Sequence, residues 1–499
     1  MPRLVLSASP STRRRGRLAL AWFAAAWITL LAMDCSTTVA ADGAAARPNI
    51  VFIMADDLGW TDLACQGSRY YETPHIDKLA QTGLTFDCQY MCQNCAPTRA
   101  ALMSGQYAPR TGIYSVGSLV RGKPADRRMQ PPENQTQLPL DKITLAQSLK
   151  QAGYATGMFG KWHLGFRDFH PARRGFDEAI VSNGKHFDFD TQPKVDVPPG
   201  AYLADFLTDR AVDFIQRHRD EPFFLYLPHF GVHSPLQAKR EWIDHFEDKA
   251  AVGGHNHAVY AGMIASVDES VGRIMAKLDE LKLSEKTLIV FTSDNGGVGG
   301  YPVPGTQQTK GTTDNAPLRG GKGMLYEGGI RVPLIMRWAG VTPTGGRCSF
   351  PVVHVDWYPT LLDLAGAKPP ADYPLDGVSI ARLMKDPQAD MPARNIYWHF
   401  PGYLESYIKE DVWRTTPVSV VRSGDFKLLQ YLEDGRLELY DLKNDISESR
   451  NLAESMPDKA AQLKADLESW RTQTSAAMPT PRPGKGGGAK KSREQPPRR

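Results

Sequence analysis

The chain has 499 residues, room for a few ordinary domains or one large α/β domain with an appendage. Apolar residues make up 41% and charged residues 23%, which excludes a mostly disordered, collagenous or coiled-coil chain. The net charge of +4 sits at the ends: residues 1–45 carry +3 and residues 482–499 carry +6, leaving about −5 for the body. The basic total therefore gives no nucleic-acid footprint.

Arg13, Arg14, Arg15 and Arg17 precede an apolar run from Leu18 to Met33, and Thr38-Val39-Ala40 follows. A basic start, a short apolar stretch and small residues before a cut after Ala40 make residues 1–40 a secretory signal peptide. The run is shorter than the ~20 residues that span a bilayer comfortably, so no stable membrane anchor is expected. The destination is periplasmic or secreted. Cys35 leaves with the signal, and Cys65, Cys88, Cys92, Cys95 and Cys348 remain. That odd count suggests one cysteine with another job, and two disulfides if Cys95 is set aside.

Asn49 to Met54 reads as a buried strand ending at Asp56-Asp57. Thr73 as N-cap, Pro74 and Gly83 bound a helix. Thr144–Ala152 is a second helix, followed by a strand over Tyr154–Phe159 that ends in Gly160-Lys161-Trp162-His163. A helix over 205–217 leads to a strand over Pro222–Leu227 and a loop with His229 and His233. The helix Ala258–Leu281 precedes a strand over Thr287–Thr292 that ends in Ser293-Asp294-Asn295-Gly296. Val332–Trp338 is a further strand, with a helix over Trp357–Ala365 behind it. Helices alternating with fully apolar strands imply a largely parallel sheet covered on both faces.

Sites in such sheets lie beyond the carboxyl ends of the strands. Four strands here end in Asp56/Asp57, Lys161/His163, His229/His233 and Asp294/Asn295, and at one sheet edge they would make a site. After residue 400 the pattern changes to short strands over 418–422, 426–432 and 437–442, with a helix over 457–472. From Met478 the chain is mostly Pro, Gly and basic residues, a disordered tail by composition.

Asp56, Asp57, Asp294 and Asn295 offer only oxygen ligands, which suits Ca²⁺ or Mg²⁺ and not zinc. Each pair alone is also ordinary turn chemistry. Pro97 at a first helical position would put Cys95 just before a helix, where free N–H groups favour anions, with Arg99 about one turn on. A structural cysteine, bonded to Cys88 or Cys92, fits that spacing equally well.

Cys95-x-Pro97-x-Arg99 with Met103-Ser104-Gly105 resembles the signature of the type I sulfatases, and Gly160-Lys161-Trp162-His163-Leu164-Gly165 resembles that family's second signature. Asp56-Asp57, Asp294-Asn295-Gly296, Arg319 to Gly323 and Tyr326 to Gly329 fall in family order, so the resemblance runs from about Pro48 to Leu452. Thr98, Met103, Ser104 and Gln106 depart from the commoner residues. The resemblance implies an alkaline-phosphatase-like fold: a large mixed or parallel sheet between helices over 46–400, a small C-terminal antiparallel sheet plus helix over 401–475, and a tail over 478–499. It also implies a formylglycine at Cys95, made by a formylglycine-generating enzyme, whose hydrate attacks sulfur, and one cation, Ca²⁺ or Mg²⁺, held by Asp56, Asp57, Cys95, Asp294 and Asn295. Arg99 would steady that cluster. Lys161, His233 and Lys322 would contact sulfate oxygens, with His233 or Lys322 protonating the leaving oxygen, and His163 would help remove a proton from formylglycine.

The expected substrate is a sulfated carbohydrate or aryl sulfate. A phosphodiesterase or phosphonate hydrolase on the same scaffold, or a non-catalytic sulfoglycan-binding protein, are the competing readings. Specificity is expected in loops 115–140, 168–190, 298–317 and 403–417, with Trp398, Tyr403 and Tyr407 available to stack on sugar rings. His399 fits the cleft or the interior equally.

Overall fold

The computed structural model describes residues 47–409 and 412–482. Residues 1–40, read as a signal peptide, and the part of the expected tail beyond residue 482 lie outside the described residues. Among the described residues no helix is long and apolar enough to cross a membrane.

The large sheet has nine strands: β1 (Asn49–Ala55), β2 (Leu84–Tyr90), β3 (Ala155–Gly160), β4 (Glu178–Val181), β5 (Phe223–Pro228), β6 (Thr287–Ser293), β7 (Arg331–Arg337), β8 (Gly346–Cys348) and β9 (Val352–Val353). Their order is β8-β2-β7-β6-β1-β5-β3-β4, with β9 also on β2. All seven residues of β1 are buried, as expected of a strand covered on both faces. Ile50, Phe52 and Met54 enter one core, and Val51, Ile53 and Ala55 enter the other, following the alternation of side chains along a strand.

The α-helices of seven or more residues are α1 (Pro74–Thr82), α2 (Cys95–Ser104), α3 (Leu145–Gln151), α4 (Leu203–Arg217), α5 (Arg240–Glu247), α6 (Ala258–Glu280), α7 (Trp357–Leu364) and α8 (Pro457–Gln473). Residues of α2, α3 and α7 fill the first core, and residues of α1, α4 and α6 fill the second. At the start of α3, Thr144 and Gln147 make a reciprocal capping box. Thr73 does not cap α1 with its side chain. The Asp268 carboxylate of α6 takes the N–H groups of His75 and Ile76 instead, at 3.1 and 2.7 Å.

The sheet is mixed where the sequence reads largely parallel. β7 pairs antiparallel with both β6 and β2. A parallel return needs a long crossover, usually a helix. Between β6 and β7 the chain has only short strands and the four-residue helix Glu327–Ile330, so it comes back in the opposite direction.

A separate four-stranded antiparallel sheet consists of β10 (Asn395–Phe400), β11 (Val418–Ser423), β12 (Phe426–Tyr431) and β13 (Leu437–Asp441), with α8 against it. Its first strand lies before residue 401. Within β10, Trp398 and His399 are buried. Trp398 donates its indole N–H to the Met91 carbonyl, and His399 lies between Ser419 Oγ and the Ala477 carbonyl. Tyr403 is also fully buried. None of the three has a face open to a sugar. The stretch read as tail from Met478 is ordered where Thr480–Pro481 pairs with Met129–Gln130. All five cysteines among the described residues are free, so neither expected disulfide forms.

Candidate active site

Strands β6, β1, β5 and β3 are neighbours, and all pairings among them are parallel. Their carboxyl ends therefore meet at one edge, as the four polar strand endings require. The backbone stitches them together. Asp56 donates to the Gly231 carbonyl, Asp294 to Ala55 and Lys161 to Pro228, at 2.8–3.1 Å. At Gly160 a Cβ would sit 1.9 Å from the Pro228 carbonyl oxygen, so only glycine lets β3 deliver Lys161 this close to β5. Asp57 and His163 are both in the left-handed region, at φ 67° and 62°. Non-glycine residues hold that conformation only under constraint, and such strain gathers at functional sites.

Cys95 is the first residue of α2, with Asn94 as N-cap, not the residue before the helix. Pro97 is accordingly third in the helix, where its missing N–H costs nothing, since the first four N–H groups lack helical partners anyway. Gly105 ends the helix at φ 67°, its N–H on the Ala101 carbonyl. Arg99, one turn on, is fully buried. It donates to Asp294 Oδ2 through Nε and Nη2 at 3.1 and 2.7 Å, and to the Lys161 carbonyl at 2.7 Å.

Asp56, Cys95 and Asp294 place one ligand atom each within 4.8 Å of one another. Lys161 pairs with Asp56. Lys322 Nζ donates to Asp57 Oδ2 at 2.7 Å, and Asn295 Nδ2 to Asp57 Oδ1 at 2.9 Å. Asp56 Oδ1 and Asn295 Oδ1 are buried without a hydrogen-bond partner. Two orphaned hard oxygens in the strand-end cluster that holds the cysteine are what an oxygen-liganded divalent cation would satisfy. The donor set therefore fits Ca²⁺ or Mg²⁺ and lacks the imidazole and thiolate majority of a zinc site.

The electrostatics are strong because water is excluded. Burial opposes ionisation of Asp56, yet Lys161, His233, Arg99 and Lys322 hold its carboxyl far below the usual range. Burial and the neighbouring Asp56 push Asp294 up to about 7. Burial raises the Cys95 thiol, so the bare side chain is not a ready thiolate. Burial, then Lys161 and Arg99, push His163 down to about 3, and its imidazole is neutral. His163 Nδ1 is buried without a partner.

His229 and His233 separate cleanly. His229 is fully buried, hydrogen-bonded to Ser270 Oγ at 3.0 Å and pushed by burial down to about 4. His233 borders the cleft, with Nε2 3.7 Å from Asp57 Oδ2. His354 and His255 are buried, and His257 caps α6 by accepting from the Tyr260 N–H.

A cleft of about 340 Å³ opens over Cys95, bordered by Lys161, His163, His233 and Lys322. Loops 115–140, 168–190 and 403–417 supply Val116 and Arg121, Asn183 and Gly184, and Leu404, Tyr407 and Arg414. Loop 298–317 supplies no lining residue to it. Of the three aromatic residues expected to stack on sugars, Tyr407 alone lines the cleft, and it is 57% exposed. Arg121 and Arg414 were not singled out by any motif. Their only sequence signal is a basic residue in a loop expected to carry specificity.

A family model described as "Sulfatase" matches residues 48–367, and one described as "N-sulphoglucosamine sulphohydrolase, C-terminal" matches residues 321–473. The chain is 34% identical to a "Sulfatase" of Formosa agariphila, covering 86% of this chain and 90% of that one. It is likewise 34% identical to the N-acetylgalactosamine-6-sulfatase of Canis lupus familiaris, over 72% of this chain and 70% of the relative. Among solved structures, Ps i-CgsB in complex with k-i-k-neocarrahexaose superposes with a TM-score of 0.71 at 30% identity, over 85% of this chain and 92% of that one. The phosphonate monoester hydrolase of Agrobacterium radiobacter, at a TM-score of 0.63 and 20% identity, shares the fold. With matching sequence from Pro48 into the second sheet and a cysteine held among carboxylates at the sheet edge, the chain belongs to the sulfatase family and is a sulfuric ester hydrolase.

Proposed function

We propose that the chain is an exported sulfatase that hydrolyses a sulfate monoester of a sulfated carbohydrate, using a formylglycine made from Cys95 and one Ca²⁺ or Mg²⁺. The observation that carries this reading is the pair of orphaned buried oxygens, Asp56 Oδ1 and Asn295 Oδ1, beside Cys95 and the Arg99–Asp294 pair. Asp56, Asp57, Asp294, Asn295 and residue 95 would hold the cation. When bound it would lower the pKa of a hydroxyl at residue 95 and neutralise charge on the sulfate. Export rests on the basic and apolar segments of residues 1–40, and the modification on a formylglycine-generating enzyme as partner.

Sulfate-ester cleavage builds charge on the leaving oxygen, so positioning and electrostatics do most of the catalysis. A hydrated aldehyde at residue 95 has two hydroxyls: one attacks sulfur in line, and the other later loses its proton and expels sulfate. An unmodified Cys or Ser lacks the second. Arg99 fixes Asp294, and Lys161 and Lys322 bring two cations to the sulfate oxygens. Neutral His163 takes a hydrogen bond from the residue-95 hydroxyl and helps draw off its proton. Nδ1 of His233 meets the Ser234 carbonyl at 2.6 Å, which leaves Nε2 to deliver a proton to the leaving oxygen. Lys322 is the competing donor, and comparing an activated aryl sulfate with a sugar sulfate in the His233→Ala and Lys322→Ala variants separates the two.

The test is tryptic mass spectrometry across residue 95 of active protein, with metal analysis of the same sample. The expected result is an aldehyde in place of the thiol and one equivalent of Ca²⁺ or Mg²⁺. An intact thiol in fully active enzyme, or stoichiometric zinc, overturns the reading.

A further inference from the structure

Arg414 is 8% exposed, yet no carboxylate among the described residues pairs with it. Its Nε and Nη1 are buried without a hydrogen-bond partner. The guanidinium instead lies over the Tyr407 ring, 3.9 Å from its centroid, and 5.8 Å from that of Tyr301. Gly323 leaves room for it, since a Cβ there would approach Nε to 2.7 Å. Thr415 fixes the register by donating to the Gly323 carbonyl at 2.6 Å. The side chain is thus held one residue from Lys322, at the wall of the cleft that contains Cys95.

Desolvating a guanidinium without an anionic partner is unfavourable. The ring faces of two tyrosines offset part of this, but Nε and Nη1 remain without a hydrogen bond. The fork matches a carboxylate or sulfate through two parallel N–H bonds. Arg121 lines the same cleft, its guanidinium held on the carbonyls of Val116 and Ser118. Among the described residues no acidic side chain lines the cleft.

We infer that Arg414, assisted by Arg121, is a second anion subsite beside the scissile-sulfate pocket, and that the preferred substrate is a saccharide bearing a further sulfate or carboxylate besides the sulfate removed. The inference rests on the sulfatase reading of the site. Arg414 acts on binding and leaves the chemistry at residue 95 to other groups.

Three matched disaccharides test it: one with a single sulfate, one with a second sulfate, and one with the single sulfate plus a uronate carboxylate. The expected wild-type kcat/KM is at least tenfold higher for one or both dianionic substrates, through KM. Arg414→Gln should erase that preference while changing turnover of the monosulfated sugar less than threefold, and Arg414→Lys should restore part of it. Whichever dianion shows the preference identifies the group. Equal wild-type kcat/KM on all three substrates overturns the subsite, and this reading needs no variant to fold. Equal losses on all three in a folded Arg414→Gln enzyme overturn it too. Failure of the wild type on every sulfate ester overturns the sulfatase reading itself and the subsite with it.

Discussion

Two clusters of buried charge in this molecule look alike in composition and differ in what they face. At the strand ends, Asp56, Asp57 and Asp294 face Arg99, Lys161 and Lys322. Between the two sheets, Glu327 and Glu448 face Lys427, which lies 2.9 Å from each, and all three are fully buried. The inner cluster is sealed from solvent and partnered within itself: Tyr90 donates to Glu327 Oε2 at 2.6 Å, Glu448 Oε2 accepts the Glu327 N–H at 2.7 Å, and Glu448 Oε1, though without a hydrogen bond, lies 2.9 Å from the Lys427 ammonium. The strand-end cluster leaves Asp56 Oδ1 and Asn295 Oδ1 empty-handed and opens on a cleft. A closed network specifies how parts dock, whereas an open one keeps capacity for something that arrives.

This contrast can be broken by experiment. The largest expected effect is on turnover: Cys95→Ala should lower kcat by at least about a thousandfold, as for loss of a covalent nucleophile. Its melting temperature should stay within a few degrees, roughly the effect of a small truncation at a helix start. Next, Asp294→Asn should reduce kcat/KM by at least about a hundredfold, the scale for removing one group of a preorganised site. Bound divalent metal, measured on the folded variant, should fall with it.

Lys427→Met should do the opposite. Removing one partner of a buried ion cluster costs about 3–5 kcal/mol, read as a lower denaturant midpoint, while activity of the folded fraction falls less than about tenfold. If Lys427→Met spared stability and abolished turnover, the distinction between the clusters would fail. The smallest effect concerns pH. Burial pushes His229 and His399 down to about 4 and His354 to about 3. The unfolded chain takes up protons near 6.5 and the folded one does not, so stability is complete above about 6.5 and is lost as pH falls toward 4. Each such histidine contributes up to about 1.4 kcal/mol per pH unit in that window. The melting temperature of His399→Gln should therefore fall less steeply with acid than that of the wild type.

Most of the chemistry-bearing residues were legible because they sit at the ends of locally patterned elements, and Lys322 because its glycine-rich stretch resembles the family's. An apolar run that stops at Asp56-Asp57, Lys161 or Asp294-Asn295 is a strand end wherever it occurs, and Cys95-x-Pro97-x-Arg99 sets a helical turn between cysteine and arginine. Periodicity and capping act over a few residues, so the sequence alone determined these elements and the polar groups they carry. It also determined the family, through motifs in order along nearly the whole chain.

Tertiary structure decided what depends on distant neighbours. The direction of β7, the burial of Trp398, His399 and Tyr403, and the freedom of every described cysteine follow from how elements pack, not from their own patterns. His229 and His233 share one loop, and only the packing of α6, with Ser270 beneath His229, sends one inward and leaves the other at the cleft. Arg414 is the sharpest case. A basic residue in a loop is ordinary in sequence, and it acquires meaning only when folding buries its charge and no carboxylate among the described residues meets it.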